Sequence, residues 1–220
     1  MLRVLLPVTR HVWCQEDWKT PYTESAPAIF YLKSSPPSGE ANVTSGFFIN
    51  SQGHGVSVYH FLDSIKHNTK HLYIHYDGKD YPAQVVYKDK NLDFIVVKTD
   101  HLKDNPFLRF AEELPSLGEE VVLLGINPSL HVTLEPGYLL EKDYPYLKYM
   151  KEGCLRSSCK GGPGYSGGAV VNRKGQVVGV HNSMSNLFIG VFDSVSVPFF
   201  KITESLSKKA QKTTEGWVFK

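Results

Sequence analysis

Five glycines and one proline fall within the eight residues Gly161-Gly162-Pro163-Gly164-Tyr165-Ser166-Gly167-Gly168. Such a run suits neither a helix nor a strand interior, because glycine costs backbone entropy there and proline removes a donor. It reads as a tight loop. The apolar run Ala169-Val170-Val171 follows at once, then a turn, then Val177 to Val180. The loop is therefore slung between short strands. Glycines on both sides of Ser166 let the backbone turn sharply, expose the serine oxygen and aim backbone N–H groups at one point. An oxyanion could sit at that point. A plain Gly-rich connection has the same composition, so the test is whether a His and an Asp stand upstream in suitable places.

Both do. His60 ends the run Gly55-Val56-Ser57-Val58-Tyr59-His60, which follows Ser45-Gly46-Phe47-Phe48-Ile49-Asn50 and a Gly-containing turn. Asp93 opens the apolar run Phe94-Ile95-Val96-Val97. The order His, Asp, Ser is that of chymotrypsin. A lone His near a strand end is usually structural, and a lone Asp before a strand is usually a turn residue. The three together, in this order, point to a nucleophile, a base and a group that orients the base.

Short β-type segments dominate the rest. Ala28 to Lys33, Thr44 to Ile49, the run ending at His60, Leu72 to Tyr76, Tyr81 to Tyr87 and Phe94 to Lys98 read as six strands. Asp77-Gly78 is a hairpin signal. Asp104 to Leu117, interrupted by proline and mixed in charge, reads as a linker. Val121 to Ile126, Val132 to Leu140, Cys154 to Ser158, Ala169 to Val171, Val177 to Val180 and Leu187 to Phe192 form a second set. The expected architecture is all-β: two antiparallel six-stranded barrels over 26–110 and 115–198, within a single domain spanning 1–220. After Pro198, apolar residues at 199, 200, 202 and 206 predict a C-terminal helix over 199–210.

Net charge is +2, with both signs scattered along the chain. That balance asks for neither nucleic acid nor a membrane surface. No apolar run approaches the roughly 20 residues of a membrane span. The start, Met1 to Val8, is apolar but short and lacks a small-residue cleavage site, so it reads as a packing segment rather than a signal peptide. Cys14, Cys154 and Cys159 provide no disulfide framework, which predicts free thiols and a reducing, cytoplasmic location. His71 and His75 share a strand face but read as a solvated edge. No metal or cofactor is called for.

The chain resembles chymotrypsin-fold serine proteases of the HtrA/DegP-like branch. Ser45-Gly46-Phe47-Phe48-Ile49 resembles the G-S-G-F-I strand, and Leu92-Asp93 to Lys98 the L-D-x-x-V-x-K segment. Leu117-Gly118 with Gly125-Ile126-Asn127-Pro128 resembles L-x-x-G and G-N-P. Pro163 to Gly168 resembles P-G-N-S-G-G, Gly175 to Val180 the G-x-V-V-G-I strand, and Ser196-Val197-Pro198 the final A-I-P step. Within these 220 residues no PDZ domain is expected. Tyr165 stands where the family usually has Asn and where digestive proteases have the Asp that anchors a new N-terminus.

The resemblance implies a serine endopeptidase acting on proteins or peptides through an acyl-enzyme. Ser166 would be the nucleophile, His60 the base and Asp93 its orienting partner, with the N–H groups of Gly164 and Ser166 as the oxyanion hole. A catalytically silent binding or scaffold module on the same fold is the alternative. A serine esterase on an α/β-hydrolase fold fits poorly, because there the serine precedes its partners. Lys160, His181, Asn182 and Ser183 fall where the substrate pocket lies. A His at position 181 is similar to glutamyl endopeptidases and viral 3C-like proteases, which implies Glu or Gln before the cut; a structural His is the competing reading. The family's trimers through N-terminal aromatics imply a homo-oligomer as one use of Trp13, Trp18 and Tyr22, and packing on their own barrel is the other.

Overall fold

The structure is a computed structural model that describes residues 24–35, 41–145, 153–187 and 191–219. Alternating apolar residues in the first half build β1 (Ile29–Ser34), β2 (Asn42–Phe48), β3 (His54–Val58), β4 (Leu72–Tyr76), β5 (Lys79–Pro82), β6 (Gln84–Asp89) and β7 (Phe94–Lys98). They pair antiparallel in the order β5-β4-β1-β2-β3-β7-β6. The strand expected over Tyr81–Tyr87 is present but bends at Ala83, just after Pro82, which has no N–H to give to a ladder. Its first part, β5, pairs with β4, and its last part, β6, pairs with β7. One bent segment thus joins opposite edges of the sheet and curls it into a half-barrel. The six expected strands are counted as seven for that reason. Register puts Phe30, Phe48, Ile74 and Ile95 on one face of this sheet and Phe47 and Phe94 on the other, and all six are fully buried.

The second half is a closed barrel of six strands. These are β8 (Glu120–Ile126), β9 (Val132–Tyr144), β10 (Cys154–Ser157), β11 (Ala169–Val171), β12 (Val177–Leu187) and β13 (Val191–Pro198), in the order β10-β13-β12-β11-β8-β9. Closure rests on β9. At 13 residues it is long enough to pair with β8 through its first part and with β10 through its last.

The linker runs between the halves and is tied to both. Leu108 N–H donates to Phe48 C=O at 2.9 Å, while Val177 N–H donates to Arg109 C=O at 2.8 Å and Ala111 N–H to Val177 C=O at 2.9 Å. A short helix, α1 (His60–Ser64), follows β3. The expected C-terminal helix is α2 (Phe199–Ser207), which buries Phe199, Ile202 and Leu206 and leaves Phe200 exposed.

The hairpin after it, β14 (Ala210–Thr213) and β15 (Gly216–Phe219), is not foreseen from the sequence pattern. It carries the end of the described chain back to the first half. Trp217 N–H donates to Ile49 C=O at 3.1 Å, and the Asn50 side-chain amide donates to Trp217 C=O at 2.5 Å. Phe219 stacks on His54 with ring centroids 4.9 Å apart.

Cys154 and Cys159 are free thiols, as expected, and both are buried. Burial pushes Cys154 up to about 12 and Cys159 up to about 11, so both stay protonated and unreactive at neutral pH. Met1 to Val8, Cys14, Trp13, Trp18 and Tyr22 lie outside the described residues.

Candidate active site

Strand register brings His60 and Asp93 together. β3 pairs with β7 so that Val58 lies opposite Phe94, the residue after Asp93. The ladder runs one step further through Tyr59 N–H to Asp93 C=O at 3.1 Å. The next residue, His60, then meets the Asp93 side chain twice. Its backbone N–H donates to Oδ1 at 2.8 Å, and its ring Nδ1 lies 2.7 Å from Oδ2. A carboxylate only accepts, so Nδ1 carries the proton and the neutral ring keeps its lone pair at Nε2. The Asp93 side chain is 1% exposed against 28% for His60, so the acid is hidden and the base reaches the surface. Asp93 has φ +49°, a left-handed conformation that Asp tolerates better than most residues.

A third donor reaches the acid. The side-chain amide of Asn182, on β12, donates to Asp93 Oδ2 in a short hydrogen bond. Asn182 was expected in the substrate pocket beside His181 and Ser183. In the structure its amide is turned to the acid, and its backbone C=O accepts from Ser166 Oγ at 3.1 Å. Among the described residues, no hydrogen bond joins His60 to Ser166.

Ser166 sits in the loop before β11, half-buried. Gly164 and Gly167 have φ +95° and +85°, which only glycine adopts readily. A Cβ on Gly167 would also lie 2.1 Å from Ser45 C=O, closer than any real contact. The loop is packed directly on β2 of the other half. Ser45 N–H donates to Gly164 C=O at 3.0 Å and to Ser166 C=O at 2.9 Å. Neither Gly164 N–H nor Ser166 N–H has a hydrogen-bond partner among the described residues. Two donors beside the nucleophile are thus left unengaged. Tyr165 is buried and anchors the loop on its far side, its hydroxyl 2.6 Å from Thr133 Oγ1 and 3.1 Å from Glu135 Oε1.

His181 is 1% exposed. Burial, with His60 nearby, pushes it down to about 3, so the ring is neutral at neutral pH. Its Nδ1 is buried without a partner, as are the hydroxyls of Ser157, Ser183 and Ser196. Register places His181 opposite Ser196, and Ser157 opposite Ser194, so these four share one face of β10, β12 and β13. Gly161 packs against that face: a Cβ there would stand 2.9 Å from His181 Nε2 and 3.2 Å from Ser194 Oγ. Lys160, expected at the pocket floor, is exposed.

Comparison with known proteins places the chain in context. The model of the trypsin-like peptidase domain family matches residues 44–180. A probable periplasmic serine endoprotease, DegP-like, of Chlamydia pneumoniae is 28% identical over 154 residues, 69% of this chain and 31% of that protein. Its counterpart in Chlamydia muridarum is 27% identical over 151 residues, 68% of this chain and 30% of that protein. The chain therefore spans less than a third of the length of these relatives. The structure of the Rv3671c protease from M. tuberculosis in its active form matches with a TM-score of 0.74 at 20% identity, covering 94% of each chain. At that identity the likeness concerns the fold.

The relatives' names overturn the expectation of a cytoplasmic location, since they are periplasmic and point outside the cytoplasm. The expectation failed because it read compartment from missing disulfides. Cys154 and Cys159 are buried and kept protonated, so they can persist as thiols wherever the protein resides.

Proposed function

The chain belongs to the trypsin-like peptidase domain family, and from that premise we propose that it is a serine endopeptidase cutting proteins or peptides, its two halves forming one protease unit. The observation that carries this reading is the His60–Asp93 pair, linked to Ser166 through Asn182, whose amide donates to Asp93 and whose C=O accepts from Ser166 Oγ. Ser166 Oγ attacks the scissile carbonyl carbon and passes its proton to His60 Nε2. The new C–O bond leaves the negative charge on the carbonyl oxygen, which the N–H groups of Gly164 and Ser166 bind. The C–N bond then breaks, and the amine leaves with the proton from His60. Water attacks the ester, His60 takes a proton from it, and the C–Oγ bond breaks to return that proton to Ser166. Asp93 keeps the imidazole in the required tautomer and balances the imidazolium. An extracytoplasmic location, as in the relatives' names, accompanies this reading.

The substrate pocket expected around His181 is read as taking a Gln or Glu side chain before the cut. Its support is the face of unpartnered polar atoms around His181, which a side chain bearing an oxygen would satisfy. With His181 neutral and Lys160 at the surface, a carboxamide is easier to bury there than a carboxylate, which places Gln ahead of Glu.

The test is incubation with an alkyl fluorophosphonate followed by intact-mass and peptide mapping. In that reaction a Ser166 Oγ–P bond forms, fluoride leaves, and the hydroxyl proton goes to His60. Labelling at Ser166, lost in His60→Ala, supports the protease. A folded chain that takes no label favours the silent scaffold.

A further inference from the structure

The geometry points to Ser45, assisted by Thr44, as a positioning residue that sets the oxyanion hole from the opposite half of the molecule. The inference rests on the protease reading above.

Four consecutive peptide planes run through the loop at Ser166. The plane joining Pro163 to Gly164 carries the first oxyanion donor, Gly164 N–H. The plane joining Gly164 to Tyr165 carries Gly164 C=O. The plane joining Tyr165 to Ser166 carries the second donor, Ser166 N–H. The plane joining Ser166 to Gly167 carries Ser166 C=O. Donor planes therefore alternate with planes whose carbonyls end on β2.

Gly164 C=O receives Ser45 N–H at 3.0 Å and Ser45 Oγ–H at 2.6 Å. Ser166 C=O receives Ser45 N–H at 2.9 Å and Thr44 Oγ1–H at 2.6 Å. Adjacent planes share a Cα, so fixing the second and fourth restricts how far the first and third can turn. This restriction matters most at Gly164, which lacks a side chain to limit its rotation and sits at φ +95°.

Ser45 is itself held from three sides. Its side-chain oxygen accepts Ile126 N–H at 2.7 Å, from the end of β8 in the second half. Its C=O accepts Ser57 Oγ–H at 2.7 Å, from β3, two residues before the strand gives way to Tyr59 and His60. It lies opposite Tyr31 on β1 and is fully buried. One serine thus touches the oxyanion loop, the second barrel and the strand that leads to the catalytic base. A hydroxyl at this place does more than satisfy itself. It links the docking of the two halves to the direction of two N–H groups it never contacts.

The test uses the full chain and the fluorophosphonate probe, because phosphonylation draws on the same two N–H donors. Ser45→Ala and Thr44→Val are compared with wild type by labelling rate across pH and by thermal melting, with rates taken well below each melting point. Thr44→Val keeps the side-chain shape and serves if Ser45→Ala folds poorly. The expected result for Ser45→Ala is a loss of about tenfold or more in labelling rate, with the pH midpoint of labelling unchanged because His60 and Asp93 keep their contacts. Thr44→Val is expected to show a smaller loss with the same unchanged midpoint. A folded Ser45→Ala that labels within twofold of wild type overturns the inference. So does a loss in both variants that merely follows their unfolded fraction, because Ser45 would then be a packing residue. A wild-type chain that takes no label removes the protease premise and this inference with it.

Discussion

Three donors converge on the Asp93 carboxylate, which is almost wholly hidden from water. Asp93→Asn preserves the shape but lets the side-chain amide donate, which turns the His60 ring to the wrong tautomer. Turnover of a cleavable peptide is expected to fall about 10⁴-fold with melting temperature little changed, as kinetics and calorimetry on the same sample would check. Asn182→Leu removes one donor from Asp93 and leaves the His60 contacts in place. A fall of about tenfold in phosphonate labelling is expected, smaller than for Asp93→Asn because two hydrogen bonds to the acid survive. His181→Ala is expected to level the cleavage of Gln, Glu, Leu and Phe peptides; an unchanged profile would make the imidazole structural. The meeting of His60 and Asp93 was legible because each stands at the end of a recognisable strand, and the β3–β7 register brings those ends together. The bond from Asn182 to Asp93 leaves no signal in the run Val180 to Met184, because its partner is 89 residues away in sequence. The register shifts between His181 and Ser183, so simple alternation assigns Asn182 no face, and its place follows from its bonds to Asp93 and Ser166.

The β character of both halves followed from alternation and turn residues, while the bend at Ala83 and the C-terminal hairpin, whose partners are distant in sequence, did not. The C-terminal hairpin is four residues in each strand and carries little apolar signal before Trp217. Its place is set by Asn50, which is fully buried in the turn between β2 and β3. Asn50 Oδ1 accepts the N–H groups of Gln52 and His54 at 2.9 and 3.1 Å, and its amide reaches Trp217 C=O. Asn105 adds a hydrogen bond to Asn50 C=O at 2.9 Å. Asn50→Ala strands several buried polar groups at once, so a loss of about 3 kcal/mol in urea denaturation is expected. The hairpin should loosen first, which hydrogen exchange at Trp217 N–H would report as lost protection.

For the molecule as a whole, two buried imidazoles tie stability to pH. Burial holds His54 at about 4 and His181 at about 3, both below the ordinary 6.5. The unfolded chain therefore takes up protons first as pH falls. The stability from burying these rings neutral is fully present above about 6.5 and is lost progressively as pH drops toward the folded values. The slope approaches about 1.4 kcal/mol per pH unit for each ring, less for a ring that water can reach. Urea midpoints at pH 7.5 and 5.5 should show this fall, and His54→Gln should flatten it. The same two-part build has another outcome. The loop at Glu112 and Glu113 is exposed, while His60 and Asp93 lie before it and Ser166, with the hairpin that grips Asn50, lies after it. A chain expressed as two pieces cut there would carry the base on one and the nucleophile on the other, with the hairpin as a ready-made clasp between them. Such a pair works as a logical AND: hydrolysis would report encounters between the pieces and stay silent for either one alone.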